Sequence, residues 1–129
     1  MEFNSQICTT KEQSERLLAL GLKKETADMR ECNGVPLPLL DVDNEVILGI
    51  HAWSLHRLIE MIPTTVPDKS NIIHYLTIDG ASISYYYFGE ESWEIWRIWN
   101  KKELYDNVID CIKWLIGEGL FNKEYLEEY

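Results

Sequence analysis

The sequence predicts an α+β fold: an antiparallel three-stranded meander, with a short extra hairpin, packed against about three helices. Three observations carry that expectation. Apolar residues recur at three and four over 54–62 and 102–117, the period of a helix with one face on a core. β-Branched and aromatic residues crowd 71–78, 81–88 and 93–99. Asp79-Gly80 and Gly89-Glu90-Glu91 separate those three runs with turn-forming residues, as sequential hairpins require. With 129 residues the chain is expected to form one domain, 1–129.

The first helix is expected over 10–20. Thr9 or Thr10 can cap it, because Glu12 or Gln13 stands three residues later and can return the hydrogen bond. Leu17, Leu18 and Leu20 follow, and Gly21 can take the left-handed conformation that lets Leu22 fold back on Leu17. From Lys23 to Gly34 the pattern is polar and mixed, with Ala27 and Met29 as anchors. Val35-Pro36-Leu37-Pro38-Leu39-Leu40 is apolar but broken by proline, so it reads as extended chain or an edge strand. After the polar turn Asp41–Glu45, Val46–Ile50 is a short strand candidate, and a loose hairpin is expected across 35–50.

The second helix is expected over 54–62. Ser54 is a good cap, with Trp53 before it and Leu58 after it placed for a hydrophobic staple. Pro63 and Pro67 end it and begin a loop. The meander then covers 71–99, with Asp79-Gly80 as a two-residue type I′ turn. The last helix, 102–117, carries Leu104, Val108, Ile112 and Leu115 on one stripe, and Gly117 or Gly119 can stop it. The tail 122–129 packs as another turn or frays. The expected core is Leu17, Leu18, Trp53, Leu58, Ile59, Ile62, Leu76, Ile83, Tyr85, Ile95, Trp96, Val108, Ile112 and Leu115.

Seven aromatics between Tyr85 and Trp99 are the most informative feature for function. Strict alternation along a strand sets Trp93, Ile95 and Trp99 on one face and Trp96 and Ile98 on the other. Tyr85 and Tyr87 oppose Tyr86 and Phe88 in the same way. Either helices cover both faces and the aromatics are core, or one face is left open as a partner or self-association site. Candidate partner-binding residues are Tyr86, Phe88, Trp93 and Trp99, with the acidic Asp79, Glu90, Glu91 and Glu94 around the strand turns.

The net charge of −10 argues against nucleic-acid binding and against an anionic membrane surface. Aromatic strands can stack single-stranded bases, but they need a basic groove. Here Arg97 alone faces Asp79, Glu90, Glu91 and Glu94. The acidity itself supports an alternative, an inhibitor or nucleic-acid mimic that docks on a basic protein. No apolar run spans a bilayer and the N-terminus lacks a signal-peptide pattern, so a cytoplasmic protein is expected.

Cys8, Cys32 and Cys111 form no C-x-x-C pair and are odd in number, which suits reduced thiols. Cys8 lies just before a helix start, where a thiolate can be stabilised. His51 and His56 are five apart and share no helix face. Asp41-x-Asp43-x-Glu45 has the opening spacing of a calcium loop, but Val46 and Ala52 stand where that loop needs glycine and glutamate. No motif for a phosphate cradle, an activated nucleophile or a zinc site occurs, so no catalytic residue, metal ligand or cofactor is assigned. A small enzyme with an unrecognised Cys/His/Asp site is the third hypothesis.

Several segments resemble small proteins encoded in Bacteroidales genomes, their mobile elements or phages. These are Gln6-Ile7-Cys8-Thr9-Thr10 with the helix to Gly21-Leu22, Thr26-Ala27-Asp28-Met29, Ala52-Trp53-Ser54-Leu55 with Ile62-Pro63, and Trp114-Leu115. The resemblance implies a cytosolic bacterial or phage accessory protein and brings no functional residue with it. The leading expectation is a non-enzymatic protein-binding or self-associating module that works through an aromatic sheet face.

Overall fold

The computed structural model describes residues 6–32, 35–38 and 49–128. The class is α+β, with three α-helices and two antiparallel sheets among the described residues. The chain divides into two compact units, residues 1–60 with 123–129, and residues 61–122.

In the first unit, helix α1 (Lys11–Ala19) has the expected reciprocal cap. Thr10 Oγ1 accepts from the Gln13 N–H at 3.2 Å, and Gln13 Oε1 accepts from the Thr10 N–H at 3.0 Å. Its end is equally local in origin. Gly21, at φ 102°, turns the chain so that the Leu22 and Gly21 N–H groups reach the carbonyls of Leu17 and Leu18. Leu17 and Leu22 are both buried.

Strands β1 (Met29–Cys32), β2 (Val35–Pro38) and β3 (Ile50–Ala52) form a small sheet in the order β2-β1-β3. The hairpin expected within 35–50 is therefore corrected: β2 and β3 each pair with β1, not with each other. Pro36 and Pro38 have no N–H to donate, which confines β2 to an edge. The segment holding β1 shows no apolar alternation, so its strand character was hidden. Asp41, Asp43 and Val46–Leu48 lie outside the described residues.

Trp53 anchors this unit and is fully buried. Its main chain exchanges hydrogen bonds with Thr9, through the Thr9 N–H (2.9 Å) and Oγ1 (3.0 Å), and its indole N–H donates to Thr26 Oγ1 at 2.9 Å. Ser54 then caps helix α2 (Leu55–Met61) by accepting from the Arg57 N–H, while Asp28 accepts from both the N–H and the hydroxyl of Ser54. The tail forms a turn: Lys23 N–H donates to the Tyr125 carbonyl and Glu127 N–H to that of Gly21.

The second unit holds β4 (Thr65–Pro67), β5 (Ile73–Asp79), β6 (Ser82–Phe88), β7 (Trp93–Trp99) and helix α3 (Leu104–Gly117). The sheet order is β4-β5-β6-β7, so the three-stranded meander gains a fourth, short strand where a loop was expected. A three-residue edge strand ending at Pro67 carries too little pattern to announce itself. The β5–β6 turn also shifts by one residue. Asp79 pairs with Ser82, leaving Gly80-Ala81 in the loop. Gly80 has φ 61°, and Ala81 is not among the residues with positive φ, which fits type II′ and not type I′.

Helix α3 packs on β6 and β7, burying Val108, Ile109, Ile112 and Leu115 with Ile83 and Tyr85. Gly119, at φ 71°, closes its end with the same two hydrogen bonds that end α1. Of the expected core, Ile95 is wrong, being 61% exposed. Leu18, Ile59, Leu76 and Trp96 are only half-buried.

Candidate functional site

Cross-strand register sorts the side chains of the larger sheet, because directly paired residues share a face. Tyr75 pairs with Tyr86 and Tyr86 with Ile95; Thr77 pairs with Ser84 and Ser84 with Ile98; Phe88 pairs with Trp93. These residues, with Ile73, form one face. His74, Leu76, Ile83, Tyr85, Tyr87 and Trp99 lie on the other, where Trp114 of α3 packs near Tyr85, Trp96 and Trp99.

The sorting corrects strict alternation in β7. Tyr85 pairs with Arg97 and Tyr86 with Ile95, so Trp96 is an extra residue in a β-bulge. Beyond the bulge the alternation is inverted. Ile98 joins Trp93 and Ile95, and Trp99 moves to the helix side.

The face away from α3 is open. Phe88, Trp93 and Ile95 are 61%, 56% and 61% exposed, and Ile73, Tyr75 and Ile98 are exposed as well. Trp93 is the hub of its aromatic end, with ring centroids 4.7 Å from Tyr86, 5.0 Å from Phe88 and 6.4 Å from Tyr75, all edge-on. Edge-on packing is the favoured arrangement of aromatic quadrupoles, so the cluster is held in shape without a cover.

The expected binding residues separate accordingly. Tyr86, Phe88 and Trp93 meet on the open face, with Asp79 at its far end and Glu90 and Glu91 in the β6–β7 turn. Trp99 does not belong there: it is half-buried against Tyr85 and Trp114. Glu94 also points to the helix side, where it accepts from the Tyr87 hydroxyl. That bond and the carboxylate charge raise the Tyr87 pKa. Ile73, Tyr75, Ile95 and Ile98 were missed as site residues. Period-two reading of β5 marks the first two, but Ile98 depends on the bulge.

A groove of about 680 Å³ lies on the helix side, lined by Asp68, Lys69, Trp96, Arg97, Trp114 and Glu118 among others. The Arg97 guanidinium stands 5.4 Å from the Trp114 ring centre and 5.8 Å from that of Trp96. Beside it, buried His74 stacks on Trp96 and shares a 2.9 Å hydrogen bond with Asp68 through Nε2. His74 Nδ1 has no hydrogen-bond partner among the described residues.

The thiols of Cys8 and Cys111 are buried. Burial, with Glu31 and Asp28 nearby, pushes the Cys8 pKa up, opposite to what a position before a helix start can do for a thiolate. Burial alone pushes the Cys111 thiol up. Among the described residues, no three His, Cys, Asp or Glu side chains are grouped to hold a metal ion, and no helix is long and apolar enough to cross a membrane. Comparison with protein-family models, with curated proteins and with solved structures finds no match to this chain.

Proposed function

We propose that the protein is a non-enzymatic binding module, a cytoplasmic accessory protein of a bacterium, mobile element or phage, that associates through the open face of β5–β7. The observation that carries this reading is the exposure of six large apolar side chains, Ile73, Tyr75, Phe88, Trp93, Ile95 and Ile98, on one surface. Weighting aromatic side chains of 150–250 Å² and the smaller isoleucines by these exposures, they present roughly 450–600 Å² of apolar area, at the upper end of the ~300–600 Å² of a typical monomer's largest patch. Leaving such a surface in water is unfavourable, and covering it is the simplest use for it.

The test is affinity capture from bacterial lysate with the wild type and the doubly substituted Trp93→Ala, Ile95→Ala protein, at low and high salt. Self-association or partner capture that the double substitution abolishes, while circular dichroism stays unchanged, is the expected result. Association unaffected by the substitution would remove the face from consideration. The acidic-mimic reading rests on exposed Asp79, Glu90, Glu91 and Glu94. It predicts capture that survives the substitution and fades steeply with salt.

A further inference from the structure

Resting on that reading of the face, we propose that its occupant is a second copy of the chain. The two sheets dock face to face about a two-fold axis, with their strands antiparallel. Three features of the face support this partner. The first is area. A stable interface buries about 800 Å² per partner, roughly 56–65% of it apolar, and the patch supplies that apolar share by itself.

The second is charge. Apart from Asp79 at one end, the paired positions of the face carry no ionisable acid or base, since Glu94 and Arg97 belong to the helix side. A chain of net charge −10 repels its own copy, and a surface neutral at its centre is where that repulsion is least. A basic partner would need carboxylates within the face, and there are none at its centre.

The third is shape. The face is built from four cross-strand rows. Two are tall, Phe88–Trp93 and Tyr75–Tyr86–Ile95; two are low, Thr77–Ser84–Ile98 and Asp79–Ser82. Ser84 is buried at the floor of the low half. An antiparallel two-fold lays each tall row over a low row of the other copy, so the layers interdigitate at the ~10 Å spacing of packed sheets. A parallel arrangement would set tall on tall and leave a gap over the serines. The acidic ends near Asp79 and near Glu90 and Glu91 approach each other across the dimer. Salt therefore tightens the association by screening them.

Sedimentation equilibrium of the full chain tests this. The wild type is expected at twice its 15.2 kDa chain mass, with a dissociation constant that falls as salt rises. Trp93→Glu and Thr77→Trp are each expected to weaken the dimer about ten-fold or more, the first by charging the tall half and the second by filling the low half. Both positions lie on the sheet surface, and near-ultraviolet circular dichroism checks that each variant is folded. A monomeric wild type at the highest soluble concentration overturns the proposal. If capture of another protein then still depends on Trp93, the binding face stands and only the second copy falls. A dimer indifferent to Trp93→Glu overturns both. A dimer lost with Trp93→Glu but kept with Thr77→Trp overturns the antiparallel arrangement.

Discussion

Asn107 is the residue whose loss most directly tests how the open sheet is held. It is buried in the first turns of α3, whose other buried side chains are Tyr105, Val108, Ile109, Cys111, Ile112 and Leu115. Its Oδ1 accepts from the Lys102 N–H at 3.1 Å, and its Nδ2 donates to the carbonyls of Ala81 (2.7 Å) and Lys102 (2.8 Å). One side chain thus ties the start of α3 to the β5–β6 turn. Three hydrogen bonds at about 0.5–1.5 kcal/mol each give roughly 3 kcal/mol for Asn107→Ala. Alanine's better helix propensity returns about 0.5 kcal/mol, leaving a loss of about 2–3 kcal/mol. Asn107→Asp keeps the volume and the acceptor but turns a carboxylate oxygen toward two carbonyls, so its cost is at least as large. Urea unfolding followed by tryptophan fluorescence measures this, because four of the five tryptophans, Trp93, Trp96, Trp99 and Trp114, lie in the same unit as Asn107. The expected result is a lower midpoint at an unchanged m-value. A change below about 0.5 kcal/mol for Asn107→Ala, within what an ordinary surface substitution does, would refute the argument.

Two further outcomes follow from the titratable groups. The Asp68 carboxyl is held below its ordinary range by the hydrogen bond from His74 and by the N–H groups of Ile72 and Ser70. A depressed folded pKa gives stability that is complete above the unfolded value and lost as pH falls through the folded one. The slope of unfolding free energy against pH below about pH 4 should therefore be shallower in Asp68→Asn than in the wild type, and identical slopes would refute the assignment. Cys8 and Cys111 should resist alkylation in the native protein and react in urea, as peptide mass spectrometry can show. Native labelling of either at the unfolded rate would contradict their burial.

The elements legible in the sequence were those whose signals are local. Thr10 with Gln13, Gly21 with Leu22, and Ser54 between Trp53 and Leu58 each decide a helix end within a few residues, and α1 and α2 stand where those signals put them, as α3 follows its apolar stripe to Gly117. What stayed hidden was decided by partners distant in the chain. Asp79-Gly80 and Gly80-Ala81 both place glycine where a tight turn accepts it. The pairing of Tyr75 with Tyr86 chooses between them. β1 is a strand because β2 and β3 flank it, not because Arg30 and Glu31 suggest one. For the site, Tyr86, Phe88 and Trp93 follow from alternation, whereas Trp99 was misplaced because an extra residue at Trp96 answers to the register of β6.

That extra residue bears on solubility as well as on the face. β7 ends its sheet, so one row of its backbone N–H and C=O groups lacks a strand partner within the sheet. Its seven residues, with two tryptophans at the ends, no proline or glycine, and Glu94 cancelling Arg97, have the composition of segments that stack into amyloid-like ladders. A straight edge of that kind would recruit identical strands one after another. The bulge turns Trp96 and Arg97 toward the same side, so an incoming regular strand loses register within a few residues. The bulge therefore interrupts the regular edge that such a strand would otherwise offer to an identical neighbour.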